Sequence, residues 1–442
     1  MNNNLTDQFI DSIYSLFKTK LPKEIEDQAK MCLLDYYGCT YLGSYLASDK
    51  ITEYLNIINN DIGYSVIVGI EQKTSMQHAA FINGIMAHIA ELDDGHRYGM
   101  MHPGAPVISA VLAFAQSVGL SFDQVLLGIV AGYEVAIRIA SAIQPGHKLK
   151  GYHATGTCGT IGAALGISVA CNYSKKEIKT VLSAAVSDAA GLLTLMDNVS
   201  AMKPYNCGRA AVAGINAALI GRMSFNGPDD ALGGERGFFK VMAETINFDY
   251  LFNGIQNKYA IETIYRKPYA ACRHCHAAIE AMLWLQNEYH FIPKDIRHIT
   301  VKTYDTAIKG HDHVHVVSSS SAKMSIPYSV AAAMVFEKAG YEQFIESNIK
   351  YIKNSNILNK ISIEEDTLMS SMVPQKRCSE VTVETSTDIF SKLVEYPKGE
   401  PENPINLDEL KDKFISLMKA SHADYKKITE IKEMLFENDN CL

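Results

Sequence analysis

The rhythm of apolar and polar positions changes once along the chain, near residue 265. Before that point the pattern is helical. Pro22 suits the first turn of a helix running through Glu24 to Tyr37. Ser121-Phe122-Asp123-Gln124 has the form of a capping box ahead of Val125-Leu126-Leu127, and Ser174-Lys175-Lys176-Glu177 repeats it ahead of Ile178. Between residues 156 and 190, Gly159, Gly162, Ala163, Ala164, Gly166, Ala184, Ala185 and Ala189 crowd the helical stretch. Side chains this small let helix axes approach closely, which predicts a mostly buried bundle.

After residue 265 a period of two appears. Ile299, Val301 and Thr303 alternate with polar neighbours, as do Val381 and Val383, so each run predicts a half-buried strand. Residues 328–338 between them read as a helix. This stretch predicts a smaller α+β domain. The Pro-rich run Tyr396-Pro397-Lys398-Gly399-Glu400-Pro401-Glu402-Asn403-Pro404 closes it, and residues 406–418 return to an amphipathic helix with Asn406 as N-cap.

Length agrees with two domains, since 442 residues exceed what one hydrophobic core organises. A net charge of −8 argues against a nucleic-acid partner, so any anionic ligand needs a local cationic cluster. The N-terminus shows neither a basic nor an apolar leader segment. The least polar stretch, residues 104–122, carries Pro106, Gln116 and serines, and reads as a buried helix rather than a membrane span. The nine cysteines are scattered and odd in number, which predicts reduced thiols and a cytoplasmic location.

Five segments could carry chemistry. Glu91-Leu92-Asp93-Asp94-Gly95-His96-Arg97, followed by Met101-His102-Pro103-Gly104, is dense in titratable groups. Neighbouring carboxylates and imidazoles can split their pKa values into an acid and a base, although a capped helix end with solvated charges has the same composition. His153, in Tyr152-His153-Ala154-Thr155-Gly156, precedes a helix start whose N–H groups attract carboxylates; a simple helix cap is the alternative. Lys203 stands among small and apolar residues, where it could neutralise a carboxylate or merely favour a helix terminus. Lys267, Arg273, His274 and His276 form a cationic cluster in Arg266-Lys267-Pro268-Tyr269-Ala270-Ala271-Cys272-Arg273-His274-Cys275-His276. It suits a polycarboxylate or a basic surface patch. Its C-x-x-C-H spacing lacks the export context of covalent haem and the further ligands of a zinc site. His311-Asp312-His313-Val314-His315 looks metallophilic, with a structural or surface role as the alternative, and Tyr328 opens a helix as a packing tyrosine would.

The order of these segments is more specific than any one of them. Glu91-Leu92-Asp93-Asp94…His102-Pro103-Gly104, Gly151-Tyr152-His153-Ala154-Thr155, Lys203-Pro204…Gly208-Arg209-Ala210-Ala211, Lys267-Pro268-Tyr269…Cys272-Arg273…His276, Ser325-Ile326-Pro327-Tyr328-Ser329 and Pro397-Lys398-Gly399…Asn403-Pro404 together resemble the MmgE/PrpD family over residues 10–430. The family includes 2-methylcitrate dehydratase, cis-aconitate decarboxylase and iminodisuccinate epimerase. The resemblance implies a large all-helical domain from both chain ends, 1–264 and 400–442, with an α+β lid at 265–399. It also implies a homodimer and a site in the cleft between the domains. It makes Asp93, Asp94, His102, His153 and Tyr328 catalytic candidates and Lys203, Lys267, Arg273 and His276 substrate-binding candidates. Two departures stand against the decarboxylase-like pattern: Glu91 and Gly95 replace an Asp and a Thr, and Cys272 falls where a His is expected.

The chemistry expected is proton transfer beside a carboxylate of a small di- or tricarboxylate, with no metal and no cofactor, most nearly that of a 2-methylcitrate dehydratase. No phosphate-loop or dinucleotide fingerprint is present. An epimerase or decarboxylase of the same family is the alternative. From other classes come a metal-dependent hydrolase built on His311, His313 and His315, and a non-catalytic helical dimer.

Overall fold

Side-chain caps set where the helices begin. Ser121 and Ser174 each close a capping box, with Gln124 and Glu177 as their reciprocal partners. Asn406 does the same with Glu409. Pro22 lies one residue outside its helix, at the N-cap. The computed structural model describes residues 4–58, 61–253 and 259–437. They fall into two units, Met1–Ile264 with Asn406–Leu442, and Tyr265–Ile405. The architecture is mainly α with an α+β second unit.

Six helices organise the first unit: α1 (Lys23–Leu46), α2 (Met76–Ile89), α3 (Gly104–Val118), α4 (Phe122–Ile143), α5 (Ala154–Ala170) and α6 (Tyr205–Ile220). α5 lies at the centre, packed on α3, α4 and α6 and buried on every face. The small residues explain how. A Cβ on Gly162 would lie 2.6 Å from the Gly132 carbonyl oxygen of α4, and one on Gly166 would lie 2.6 Å from that of Gly128. Only glycine permits this backbone approach, so Gly162→Ala would force α4 and α5 apart. The α2–α6 contact is built the same way, since a Cβ on Gly84 would lie 2.8 Å from Gly208 Cα. α4 is the one helix among the described residues long and apolar enough to cross a membrane, and it is almost entirely buried inside this unit. Each fully buried Ile or Val along it contributes about 1.5–3 kcal/mol through apolar transfer. A short hairpin, β1 (Ser65–Ile67) with β2 (Gln72–Thr74), and the helix Leu407–Ala420 packed on α1 complete the frame.

The second unit is built on a four-stranded sheet of order β4-β3-β5-β6, from β3 (Ile296–Thr303), β4 (Ile361–Glu365), β5 (Ser379–Thr385) and β6 (Ile389–Val394). The β3–β4 pair is parallel and the other two pairs are antiparallel. Ile299 and Val301 pair with Val383 and Val381, with all four side chains buried. Helices α7 (His276–Tyr289) and α8 (Ile326–Phe336) pack on one another, and α7 also covers β5 and β6.

One boundary differs from the sequence reading. The family resemblance implies a helical domain that resumes at 400, whereas the second unit extends as far as Ile405. Glu400 is buried there against Arg273, and the Arg266 amide donates to the Gly399 carbonyl. Gly399 has φ of +95°, the left-handed region that glycine enters without strain.

Candidate active site

The ends of α2, α5 and α6 converge within the first unit, and the loop between α2 and α3 fills the space among them. α2 ends with His88 in its last turn. Glu91 follows with φ of +56°, a left-handed conformation uncommon outside glycine that stops the helix. The turn brings the Glu91 carboxylate back over the helix end, 3.6 Å from His88 Nε2. On its other ring nitrogen, fully buried His88 donates from Nδ1 to Asp93 Oδ2 at 2.7 Å. Lys203, just ahead of α6, forms an ion pair with Glu91. The tight Gly84–Gly208 crossing therefore sets where the lysine meets the carboxylate.

Downstream, His96 and Met101 pair across a small antiparallel bridge, which delivers His102 to the same place. His102 Nδ1 lies 2.6 Å from the Asp94 carbonyl oxygen. A carbonyl only accepts, so Nδ1 carries the proton and the lone pair lies on Nε2. The His102 backbone amide donates to Thr155 Oγ1 at 3.0 Å, tying the loop to the start of α5. The His88 and His102 rings lie edge to face, with centroids 4.7 Å apart.

His153 is the N-cap of α5 and is buried. The Asn206 side-chain nitrogen, one turn beyond Lys203, lies 3.0 Å from His153 Nδ1 and 3.3 Å from the Leu192 carbonyl oxygen. The carbonyl fixes that amide nitrogen as donor, so His153 Nδ1 accepts and its proton lies on Nε2. Burial pushes the His153 pKa down to about 3, and the positive charge of Lys203 pushes the same way. His153 is thus a neutral donor, whereas His102 carries its lone pair on the equivalent nitrogen.

Asp94 has a different place from Asp93. Its side chain is buried, accepting from the Gly104 amide at 3.0 Å and from the Tyr133 hydroxyl. Burial pushes its pKa up to about 7; the Tyr133 hydrogen bond opposes this and the charge of Asp93 adds to it. Asp94 acts on the site through its backbone carbonyl, which orients His102.

The returning C-terminal helix braces this loop. Lys413 Nζ lies 2.6 Å from Asp35 Oδ1 of α1 and 2.7 Å from the Leu92 carbonyl oxygen. Burial pulls the Lys413 pKa down, but the charge and hydrogen bond of Asp35, with Cys39 and Asp93 beside it, together outweigh burial and the net shift is upward.

The second unit holds the other four predicted residues. Lys267 and His276 are fully buried and Arg273 nearly so. Arg273 pairs with Glu400 at 2.8 Å, donates to the Lys398 and Pro397 carbonyls, and donates to His276 Nδ1 at 2.9 Å. His276 Nε2 donates to the Ala271 carbonyl at 3.1 Å. Tyr328 donates its hydroxyl proton to the Gln343 carbonyl at 2.7 Å and packs on Phe344. These contacts fasten the segment carrying Lys267 within its own unit. Buried polar groups must be satisfied, and for Arg273 and His276 the chain itself supplies partners. The Tyr328 hydroxyl proton is likewise directed to a backbone carbonyl. The histidines at 311 and 313 face separate partners, the Lys309 carbonyl at 3.2 Å and the Ser321 carbonyl at 3.1 Å, and His315 is exposed. Among the described residues, the group of three ligand-type side chains close enough to share an ion is His88, Glu91 and His102.

Sequence reasoning missed His88, Asn206 and Lys413. The signal for His88 was its spacing three residues before Glu91, one helical turn away. Asn206 stands one turn beyond Lys203 in the same way. Nothing local marked Lys413, which meets Asp35 across 378 positions.

The arrangement brings together two imidazoles in opposite tautomers, carboxylates and an ammonium on a helical frame, the groups that acid–base chemistry needs. The chain belongs to the MmgE/PrpD family. The MmgE/PrpD N-terminal domain matches residues 7–251 and the MmgE/PrpD C-terminal domain matches residues 269–437. It is similar to the cis-aconitate decarboxylase-like protein oryM of Aspergillus oryzae, 24% identical, with 97% of this chain and 93% of that protein covered. It is likewise 24% identical to the cis-aconitate decarboxylase of Homo sapiens, covering 94% of this chain and 88% of that protein.

Proposed function

We propose that this chain is a lyase that needs no cofactor, acting on a small di- or tricarboxylate by proton transfer beside a carboxylate. The observation that supports this most is the tautomeric opposition of His102 and His153. Removing a proton next to a carboxylate builds carbanion-like charge beside an existing anion, so a base and a set of charge-stabilising donors must face the same carbon. His102 Nε2 supplies the lone pair that takes the proton. His153 Nε2–H, held neutral by its burial, is a preorganised donor toward the developing charge, and Lys203 offsets the carboxylate. Lys267 keeps the carboxylate-binding role that the family resemblance implies.

Two outcomes share this site. In dehydration of the 2-methylcitrate type, the proton taken by His102 is available to the departing hydroxyl. In decarboxylation no substrate proton is taken: His102, protonated from water, delivers that proton to the carbon that receives the electron pair left by departing carbon dioxide. The second reading is favoured by the near full-length similarity to proteins named cis-aconitate decarboxylase. We further infer a cytoplasmic homodimer, to be checked by sedimentation of the purified protein.

The test is proton NMR of the protein with 2-methylcitrate, citrate and cis-aconitate. New vinyl signals from 2-methylcitrate or citrate support the dehydratase reading. A decarboxylated product from cis-aconitate supports the other. Silence toward all three by folded protein contradicts a lyase of this substrate class.

A further inference from the structure

His88 is more completely enclosed than either histidine of the proposed mechanism. Its Nδ1 is held by Asp93, while Nε2 is buried and makes no hydrogen bond. A buried ring nitrogen left this way has lost its solvation with nothing to replace it. Nε2 instead faces the Glu91 carboxylate at 3.6 Å, with the His102 ring beside it. One donor atom each from His88, Glu91 and His102 fall within 4.8 Å of one another. Ligand bonds of about 2.0–2.1 Å in a tetrahedral zinc site place neighbouring ligand atoms roughly 3.3 Å apart. The His88–Glu91 spacing is already near that figure, and binding an ion would draw the remaining ligand atoms in from at most 4.8 Å.

The surroundings are those of a metal site. His88 gives its other ring nitrogen to a carboxylate and His102 gives its own to a backbone carbonyl, the two orienting contacts that metal-bound histidines most often show. Both contacts leave the Nε2 lone pairs as the ligating ones. A competitor is built in, because the Lys203 ammonium already occupies the Glu91 carboxylate.

We propose that His88 Nε2, His102 Nε2 and a Glu91 oxygen form a binding site for one first-row divalent cation of the zinc class. Imidazole and carboxylate ligands suit such ions, and three protein ligands leave a position open to water or a substrate oxygen. The ion takes the lone pair that His102 would use as a base, so a filled site and proton transfer exclude each other. Inhibition rests on the acid–base reading above; binding does not.

Cobalt(II) chloride is the probe, titrated into the purified full-length protein and followed by visible absorption and calorimetry. The expected result is one cobalt per chain with the intense ligand-field bands of a low-coordinate site, displaced by zinc. His88→Ala should weaken binding by at least about tenfold, as loss of a ligand costs no less than loss of an orienting partner. Lys203→Met, which removes the competing ammonium, should tighten it. Absence of bands with folded protein overturns the proposal, as does a signal unchanged in His88→Ala. Should His88→Ala fail to fold, failure of Lys203→Met to tighten binding overturns it on its own. Turnover that persists at full cobalt occupancy would leave the ion site standing and remove His102 from the proton-transfer reading, which keeps the two failures distinct.

Discussion

Two histidine-containing clusters, one in each unit, differ in where their polar atoms are directed. In the second unit Arg273, His276 and Glu400 form a closed set, with His276 engaged at both nitrogens and the guanidinium held by a carboxylate, two carbonyls and an imidazole. In the first unit His102 and His153 are each fixed through Nδ1, by a carbonyl and an amide respectively, with Nε2 given opposite protonation. The first pattern ties the chain to itself; in the proposed reading the second sets a reactive atom in place. Both clusters have the composition of an active site in sequence, and only atom-by-atom accounting of donors and acceptors separates them.

The contrast breaks most readily at His153. His153→Ala should lower kcat by about 10²–10⁴-fold, the range for loss of a positioned acid–base or donor group, with Tm little changed. Steady-state kinetics beside a melting curve checks this, and near-normal turnover by a folded variant removes His153 from the site. Arg273→Met should act the other way round. It leaves Glu400 buried without its main partner and should cost about 3–5 kcal/mol of stability, read by denaturant unfolding. A variant that kept its stability but lost substrate affinity would return Arg273 to the binding role expected from sequence.

A smaller effect is pH dependence. Because the folded His153 pKa lies well below 6.5, at about 3, the unfolded chain binds this proton more readily. The resulting stability is fully present above pH 6.5 and is lost as pH falls toward 3. Tm of the wild type should therefore fall more steeply between pH 6.5 and 4.5 than that of His153→Ala; parallel curves would deny the burial effect. Tyr328→Phe should be the mildest change, about 1 kcal/mol for one hydrogen bond to the Gln343 carbonyl, visible in unfolding rather than in turnover.

Much of the fold was legible because local signals decide it. The capping boxes at Ser121, Ser174 and Asn406 start helices where sequence reading expected them, and the alternation around Val301 and Val383 marks β3 and β5. Strands β4 and β6 went unread. β4 joins the sheet through a parallel pairing with β3, and such long-range pairing leaves little local trace. At the site, the dense run from Glu91 to His102 was visible as composition. The separate roles of its two aspartates were not, since Asp94 turns inward to Tyr133 and Gly104 while Asp93 meets His88. Adjacent residues in a loop diverge for reasons set by packing, and the bracing by Lys413 comes from the far end of the chain.

The central claim is that His102 Nε2 moves a proton next to a substrate carboxylate. Its most direct test is the rate of deuterium incorporation from D₂O into the substrate or product that turns over, compared between wild type and His102→Gln. The glutamine can keep the contact to the Asp94 carbonyl but has no basic nitrogen. The account predicts that exchange falls by about a hundredfold or more in a variant with unchanged Tm. Exchange at the wild-type rate in folded His102→Gln would contradict it.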